Sequence, residues 1–514
     1  MGKGWVNLSF DQIVMTVAMA LYLVVVLLVG LLYARRSKTS NDFYLGGRGL
    51  GPLVTAMSAE ASDMSSWLLM GLPGLAYLHG LSNASWTAIG LAVGTYVNWL
   101  IVAKRLRRYT VVAGNSITLP DFFSNRFHDK NKILMCISAV IILIFFVPYT
   151  ASGFAACGKL FQSLLGINYQ FAMIISALVI ILYTAIGGFL AESTVDLIQG
   201  LLMSIALIAI FGYGISAAGG IKEVMENAKS MPGYLNLTQI FNPDTNKADS
   251  FGFLKIISEL AWGLGYFGMP HVLLRFMAIR KEGELKTSRR IAMVWVVISL
   301  IAAVFIGIIG AAAIKGITDS ETIFIELAKK LGGSSFITLF IAGVILAGIL
   351  AATISTSDSQ LLVASSSISQ NFYKGLINKN ASDKLVMLVS RGTVVVIAII
   401  SIFIAWNPDS NIFKIVSFAW AGFGASFGPV ILFSLFWKRT TLSGAVAGMI
   451  TGGISIFVWK FLIAANVSFL NIYELLPAFI IASIAIVIVS LIDKEPSEEI
   501  QAEFELAAST QPIE

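Results

Sequence analysis

Residues 58–66, Ser-Ala-Glu-Ala-Ser-Asp-Met-Ser-Ser, carry two carboxylates and four hydroxyl groups in a stretch with apolar flanks. Inside a hydrocarbon layer such groups are costly unless they face protein or a water-filled cavity. Gly71, Pro73 and Gly74 follow, and they favour an interrupted helix. Because a broken helix leaves carbonyl and N–H groups free to bind an ion or a zwitterion, we interpret this run as half of a transport site. The alternative is a polar seam that only joins helices.

A second polar run, Ala-Thr-Ile-Ser-Thr-Ser-Asp-Ser-Gln, occupies residues 352–360 of another apolar stretch. Na⁺ is a hard cation and prefers oxygen ligands. The hydroxyls and the Ala352 carbonyl of this run, with carbonyls freed in the first run, would supply such oxygens: Ser355, Thr356, Ala352, Ala61 and Met64. Few and mostly neutral ligands would release Na⁺ readily. The alternative is that the hydroxyls bond only to their own helix.

Four carboxylates within or beside apolar stretches need partners: Glu60, Asp63, Asp196 and Asp358. Each of the three within the polar runs is either ionised beside a cation or buried in its neutral form. Asp196, at the start of a span, is a further candidate or an interfacial cap.

Aromatic side chains recur on one predicted helical face. Trp262, Tyr266 and Pro270 are spaced four residues apart, so they would share a face. With Tyr149 they could wall a pocket for a small, partly apolar solute. The segment around them contains three glycines before the proline, which predicts a second interrupted helix. Ordinary packing is the alternative for both the stripe and the glycines.

Composition indicates a polytopic all-α membrane protein. The 514 residues are 57% hydrophobic and 12% charged, with a mean hydropathy of +0.83. We count about thirteen apolar spans. The net charge of +6 does not indicate nucleic-acid binding, because Lys and Arg lie in short loops, where they set orientation.

Basic loops alternate with loops poor in Lys and Arg, which predicts an outside N-terminus and an inside C-terminus. The basic residues follow the first, third, seventh, ninth and eleventh spans, respectively: Arg35, Arg36, Lys38 and Arg48; Lys104, Arg105, Arg107 and Arg108; Arg280, Lys281, Lys286, Arg289 and Arg290; Lys374, Lys379 and Lys384; Lys438 and Arg439.

The two interrupted spans are five spans apart, which predicts a 5+5 inverted repeat with its site at the interface. We divide the chain accordingly into an extra N-terminal helix with a cytoplasmic loop, the first repeat, an extracellular loop, the second repeat, two C-terminal helices and an acidic cytoplasmic tail: 1–51, 52–217, 218–252, 253–437, 438–493 and 494–514. The loop should form a cap with short helices, and the tail should be mostly disordered. The histidines, His79, His128 and His271, are scattered, so no metal site beyond Na⁺ is expected.

Three long runs, residues 63–74, 261–278 and 417–429, resemble the sodium/solute symporter family, and within it the bacterial sodium/proline symporters. The resemblance extends over about residues 44–492. It implies thirteen helices, with a ten-helix inverted-repeat core shared with neurotransmitter/sodium symporters. It also implies Na⁺-coupled import of L-proline across the cell membrane, with Na⁺ as the coupling ion and no obligate protein partner.

The resemblance also implies roles for individual residues. The sodium site would comprise Ala61, Met64, Ala352, Ser355 and Thr356. Asp63 and Asp196 would be sodium-linked, and Arg48 matches a position tied to ion handling and gating. The proline site would comprise Ser65, Ser66, Tyr149, Trp262, Tyr266 and Pro270.

Three residues depart from the family pattern: Glu60 and Ser66 replace usual glycines, and Asp358 replaces a small polar or apolar residue. We hypothesise that Asp358 completes a second cation site, for Na⁺ or H⁺, with Asp196 and Ser359. Glu60 could pair with a cation, reshape the solute pocket or admit protons as the coupling ion.

Several other functions remain open at this point. The chain could be a sodium- or proton-coupled symporter of another small solute, such as a different amino acid, a carboxylate or a sugar. A sensor would need a signalling domain, and the tail is too short for one. A passive channel would ignore the Na⁺ gradient. An enzyme is not expected, because no nucleophile–base set is evident.

Overall fold

The computed structural model describes residues 8–34 and 39–509. Within them the fold is helical apart from one small hairpin. The basic residues Arg35, Arg36 and Lys38 lie outside the described residues. The α-helices are α1 (Phe10–Ala34), α2 (Ser40–Leu45), α3 (Pro52–Ser66), α4 (Leu72–His79), α5 (Leu81–Val97), α6 (Ala103–Val112), α7 (Leu119–Arg126), α8 (Ile133–Leu165), α9 (Tyr169–Ile186), α10 (Phe189–Ala217), α11 (Ile221–Ser230), α12 (Phe253–Leu260), α13 (Pro270–Ala278), α14 (Leu285–Ala313), α15 (Ile323–Gly332), α16 (Phe336–Ser366), α17 (Asp383–Ile404), α18 (Ile412–Phe436), α19 (Leu442–Val458), α20 (Ala464–Asn466), α21 (Leu475–Ile492) and α22 (Glu498–Ala508).

Segments of 3₁₀-helix and π-helix join several of these α-helices. Turns of 3₁₀-helix cover Gly46–Arg48, Ala261–Phe267, Glu282–Glu284, Ser320–Thr322 and Ser468–Leu470, and π-helical turns cover Trp67–Gly71, Asn98–Val102, Ser367–Ile377 and Trp459–Ile463.

Ten helices in the described part of the chain are long and apolar enough to cross a membrane: Phe10–Tyr33, Leu81–Val112, Ile133–Leu165, Phe189–Ala217, Glu282–Ala313, Phe336–Ile377, Asp383–Ile404, Ile412–Phe436, Leu442–Asn466 and Leu475–Ile492. The apolar helix α9 is shorter. The remaining apolar regions, α3–α4 and α12–α13, are interrupted, so neither forms one continuous long helix.

The first interruption lies at Ser65, whose backbone has φ 50° and ψ −174° inside α3. This region of conformational space is costly for a residue with a side chain. The Ser65 hydroxyl accepts the Trp67 N–H at 3.1 Å, which replaces part of the helical hydrogen bonding lost at the break. The predicted break in the serine-rich run is therefore present, near its C-terminal end. The chain stays helical through Gly71, Pro73 and Gly74, so the expectation that these residues interrupt the helix is wrong.

The second interruption follows α12, where Ala261–Phe267 tightens into a 3₁₀-helix and Met269 is extended. Pro270 is the first residue of α13, a position where its missing N–H costs nothing. The glycines here also serve close packing. A Cβ on Gly263 would meet the Gly90 carbonyl oxygen of α5 at 2.3 Å.

Helix α16 is the central element of the bundle, since it packs against α1, α3, α8 and α10. Residues 351–367 are all buried, so the second polar run of the sequence faces protein rather than lipid. Large apolar side chains are instead exposed on outer helices such as α17, where Leu388 is 64% exposed. This distribution is the one expected for a bundle surrounded by hydrocarbon.

The loop between α10 and α12 contains the predicted short helix, α11, and also a hairpin that was not predicted. Strands β1 (Gln239–Asn242) and β2 (Lys247–Ser250) pair antiparallel, with Gln239 opposite Ser250. The Asn242 side chain accepts the N–H groups of Asp244 and Thr245 in the turn. An Asn-Pro-Asp-Thr-Asn sequence is a turn signal that identifies this hairpin.

The prediction of a mostly disordered tail is wrong for its described residues. Helix α22 packs against α6, and Phe504 is 8% exposed. An isolated helix of eleven residues is only marginally stable in water. Packing against the rest of the chain therefore stabilises α22, which the composition of the tail did not predict.

Candidate functional site

The two polar runs meet between α3 and α16. The Ser355 hydroxyl donates to the Ala61 carbonyl at 2.8 Å and lies 3.2 Å from the Ala352 carbonyl. Three of the five predicted sodium ligands thus converge. Thr356 is 3% exposed, and its hydroxyl has no partner among the described residues. The Met64 carbonyl instead accepts the Trp67 N–H in the local turn.

Asp63 links the first interrupted helix to the second. Its Oδ2 accepts the Tyr266 hydroxyl at 2.5 Å, and its main-chain carbonyl accepts the Tyr149 hydroxyl at 3.0 Å. Oδ1 is buried, with no hydrogen-bond partner in the described chain. A buried carboxylate with a free oxygen is costly, so this position suits a cation or a charged group of a solute.

An aromatic cluster lies beside Asp63. Trp262 packs against Trp67 with ring centroids 5.5 Å apart and stacks on Tyr473 at 5.0 Å. Trp420 donates its indole N–H to the Trp262 carbonyl at 2.8 Å and meets Tyr266 edge-on at 5.0 Å. These rings form one wall across the second interruption. The segment is a 3₁₀-helix, in which residues four apart do not share a face, so the spacing argument does not account for the wall, and Pro270 is not part of it.

A small cavity lies between this wall and Asp63, with room for about one water molecule. Three predicted solute residues, Tyr149, Trp262 and Tyr266, line it; Ser65, Ser66 and Pro270 do not. Asp63 and Met64, predicted to be linked to sodium, also line it, and the lining residues that sequence reasoning missed are Trp67, Leu91, Val416 and Trp420. A solute as large as an amino acid would therefore have to separate the aromatic side chains.

The predicted second cation site contains a cation that belongs to the chain itself. Arg275 of α13 hydrogen-bonds Asp196 at 3.1 Å and Ser359 at 2.8 Å, and it also contacts Glu192. All of these side chains are at least nine-tenths buried. Sequence reasoning missed Arg275 and Glu192, although an arginine inside an apolar run demands a buried partner.

Together with Arg275 of α13, the other contacts of this cluster join four helices, α3, α10, α13 and α16. Ser58 of α3 donates to Asp196 of α10 at 2.7 Å, and Ser359 donates to Glu192 at 2.5 Å. Asp358 Oδ1 accepts the Ser359 N–H at 2.7 Å. Within residues 8–34 and 39–509, Asp358 Oδ2 and Asp196 Oδ1 have no partner.

Two other residues singled out from the sequence lie apart from the cavity. Glu60 accepts the indole N–H of Trp99 at 2.9 Å, and its second oxygen has no donor in the described part of the chain. Arg48 donates to the carbonyls of Met277 and Ser116 at 2.5 and 2.8 Å. Arg48 therefore joins the segment before α3 to α13 and to the loop after α6.

A further ion-pair group, not predicted, lies where α8 meets the segment before α15. Lys159 contacts Asp319 and Glu321, each at 2.8 Å. Glu321 also accepts the N–H groups of Ile412 and Phe413 at the start of α18, both at 3.0 Å. One buried carboxylate therefore ties α8 and α18 to the α14–α15 connection.

Apolar helices around two interrupted ones, with polar atoms at the break points, are typical of membrane transporters. A family model described as "Sodium:solute symporter family" matches residues 43–452. The chain is 45% identical, over 498 residues and 95% of both chains, to the sodium/proline symporters of Escherichia coli strain K12 and Salmonella typhimurium strain LT2. The chain therefore belongs to the sodium:solute symporter family and is a multi-pass membrane protein.

A solved structure supports the fold. The structure of a Na⁺-coupled sialic acid symporter, in a substrate-bound outward-open state, matches with a TM-score of 0.76. The match covers 94% of this chain and 99% of the other, at 20% sequence identity. At that identity the likeness concerns the fold alone.

Proposed function

We propose that this protein is a secondary active transporter of the cell membrane that couples Na⁺ to the import of L-proline by alternating access. Family membership and the near full-length relatives support Na⁺ as the coupling ion and proline as the solute. The observation that carries the mechanism is the junction of α3 with α16 at Ser355 and with the second interruption at Asp63–Tyr266. We propose that the protein acts as a transporter rather than as an enzyme, and that it needs no obligate protein partner.

The proposed architecture has thirteen membrane-crossing segments. The ten long apolar helices, α9 and the interrupted pairs α3–α4 and α12–α13 support this count. We propose that residues 52–217 and 253–437 form the two inverted repeats, with residues 1–51 before them and 438–493 after them. Residues 218–252 would lie outside and 494–514 inside, in agreement with the basic loops.

The proposed sodium site comprises Ala61, Met64, Ala352, Ser355 and Thr356. Na⁺ between the Ala61 and Ala352 carbonyls would accept the oxygen of Ser355 as a ligand in place of its present hydrogen bonds. Because these groups belong to α3 and α16, the ion would hold the two helices together. Asp63 would then add negative charge beside the ion and hold Tyr266 of the second interruption.

The proposed solute site adjoins the same break. Proline at neutral pH is a zwitterion. Its carboxylate can face the N-terminal end of a half-helix, where the dipole is positive. Its ring can lie against Trp262 and Tyr266. Tyr149 would complete the wall. Ser65, Ser66 and Pro270 would contribute indirectly, by fixing the backbone conformation at the two interruptions. Sodium and solute would each bind better with the other present, by equal factors.

The driving force is sufficient with one Na⁺. One charge crossing about 100 mV provides roughly 2.3 kcal/mol. A tenfold Na⁺ gradient adds about 1.4 kcal/mol, so the total supports roughly a several-hundred-fold solute gradient. A second cation at Asp196, Asp358 and Ser359 would have to share acceptors with Arg275. Measuring the charge moved per proline tests this site, and one charge per proline would contradict it.

Proline uptake into proteoliposomes under a Na⁺ gradient tests the function. We expect uptake to depend on Na⁺, and we expect proline to compete better than other amino acids, carboxylates and sugars. Removing one ligand in Ser355→Ala should raise the Na⁺ concentration for half-maximal uptake about tenfold, which corresponds to about 1.4 kcal/mol. Uptake that ignores Na⁺, or a preference for another solute, would contradict the proposal.

A further inference from the structure

Helix α22 is held on the rest of the chain by charges and one aromatic anchor. Phe504 lies between the guanidinium groups of Arg105 and Arg126, 4.9 and 5.5 Å from its ring centroid. Lys438 pairs with Glu505 at 2.5 Å. These contacts present the acidic face of α22 to the loop between α7 and α8, where His128 lies.

His128 lies between two glutamates of α22. Its Nε2 is 3.1 Å from both carboxylate oxygens of Glu503, and its Nδ1 is 3.6 Å from Glu499. The two glutamates are four residues apart, so they share a face of the helix. One ligand atom from each of the three residues can be chosen so that all lie within 4.8 Å of one another.

A second observation concerns the carboxylate next to His128. Asp129, His128 and Glu503 line one cavity, which is open to solvent. Asp129 is 3% exposed; its Oδ2 accepts the Leu134 N–H at 2.8 Å, whereas Oδ1 is buried without a partner among the described residues. A buried carboxylate oxygen left without a donor is costly, and the charge of a cation held in this cavity would lower that cost.

We propose that His128, Glu499 and Glu503 bind a divalent transition-metal ion of the Zn²⁺ class, with water as a further ligand. Imidazole with carboxylates suits Zn²⁺ better than the hard ions Na⁺ or Mg²⁺. Zn–N and Zn–O bonds of about 2.1 Å place tetrahedral ligand atoms about 3.4 Å apart. The 3.1 Å between His128 Nε2 and Glu503 is close to that value, whereas Glu499 faces the other ring nitrogen, Nδ1, at 3.6 Å.

Metal binding requires one rearrangement, which the structure permits. Only one ring nitrogen can face the ion, so the carboxylate of Glu499 must move toward Nε2. Its side chain is 74% exposed and therefore has room to do so. Lys130 and Lys132 line the same cavity, and their charges weaken the site without blocking it.

The consequence of binding is a metal bridge between α22 and the α7–α8 loop. Because the ligands come from segments more than 370 residues apart, an ion that binds only the folded arrangement stabilises the docked tail. None of the ligands belongs to the proposed sodium and solute site, so this site is independent of the transport proposal.

Zn²⁺ binding to the purified full-length protein in detergent tests the site, by calorimetry and by competition with a chromophoric chelator. We expect one saturable equivalent. His128→Ala and Glu503→Gln should each weaken binding at least tenfold, because each removes a ligand. Glu498→Gln is the matched control, since Glu498 is an exposed residue of the same helix outside the cluster, and it should bind as the original protein does.

Protease protection of the tail is the second readout. Zn²⁺ should slow cleavage near α22 in the original protein and in Glu498→Gln, but not in Glu503→Gln. The absence of saturable binding would overturn the proposal, as would binding that survives in both His128→Ala and Glu503→Gln. If His128→Ala fails to fold, Glu499→Gln takes its place, with the same expected loss.

Discussion

Two buried polar regions of α16 differ in charge compensation: one contains an arginine of the chain, and the other contains only oxygen ligands. Around Ser355, oxygens of α3 and α16 converge, and one carboxylate oxygen of Asp63 has no partner among residues 8–34 and 39–509. One turn further along, around Ser359, the guanidinium of Arg275 contacts Asp196 and Glu192. Both regions lie in the same bundle interior, so the difference is chemical rather than positional.

The difference indicates which region exchanges an ion and which one holds helices together. A set of oxygens without its own cation gains from a cation that arrives from solution and can lose it again. A set that includes an arginine of the chain is already compensated in part, and it joins α3, α10, α13 and α16. Substitutions should therefore impair transport in the first region and stability in the second.

Removing Arg275 should have the largest effect. In Arg275→Met, Glu192 and Asp196 lose their guanidinium partner, and breaking a buried ion pair costs about 3–5 kcal/mol. We expect a lower unfolding temperature in detergent and less folded protein. Arg280→Met is the matched control, because Arg280 pairs with Glu284 at the surface, where little stability depends on the pair.

A second variant separates charge from packing in this cluster. Adding Glu192→Gln to Arg275→Met should recover part of the lost stability, because one uncompensated carboxylate is removed. If Arg275→Met unfolds at the same temperature as the original protein, the structural role assigned to this region is wrong.

Neutralising Asp63 should have the largest effect on transport without unfolding the protein. Asp63→Asn keeps the side chain's shape and an acceptor for Tyr266, but it loses the charge beside the proposed ion. We expect Na⁺-dependent uptake to fall at least about 100-fold, equivalent to about 2.7 kcal/mol.

Tyr266→Phe is the comparison for Asp63→Asn, since it removes only the hydroxyl donor and keeps the ring and the carboxylate. Its uptake should fall by about tenfold or less, in line with one hydrogen bond to a charged group. Unchanged Na⁺ dependence in Asp63→Asn would show that the ion binds elsewhere.

The smallest effect should come from the aromatic wall. Trp420→Phe removes the indole N–H that holds the Trp262 carbonyl and keeps an aromatic ring in the cavity. Loss of one hydrogen bond of about 1 kcal/mol should raise the KM for proline a few-fold, with the Na⁺ dependence unchanged.

Trp406→Phe is the control for the aromatic wall, because Trp406 is 48% exposed and lies outside the cavity. An equal change of KM in both tryptophan variants would show that the wall does not contact the solute.

The helical membrane class and the two interruptions could be predicted because each signal is local. The interruption at Ser65 follows from serines and carboxylates within one apolar stretch, and the interruption before Pro270 follows from glycines and a proline. The exceptions are the β-hairpin, whose turn signal was available but not used, and α22. Helix α22 is ordered by contacts of Phe504 with basic residues such as Arg105 and Arg126. These arginines lie far from α22 in the sequence, so no local pattern predicts the contacts.

The candidate site was predictable only in part. Tyr149, Trp262 and Tyr266 line the cavity, whereas Pro270, predicted from the same spacing, does not, and Trp67 and Trp420 were missed. Their indoles are typical of ordinary packing in a membrane helix, and only the directions of their side chains bring them to Asp63. Sequence reasoning also had no means to pair Arg275 with Glu192 of another helix.

The sequence by itself determined that the chain crosses a membrane and that two of its helices are interrupted. Hydrocarbon imposes these features locally, because it excludes charges and demands that every backbone group be satisfied. Only the tertiary structure decided which polar atoms meet: Ser355 with Ala61, Asp63 with Tyr266, and Arg275 with Asp196. Such pairings depend on the rotation and crossing of helices far apart in the chain, which packing of the whole bundle sets.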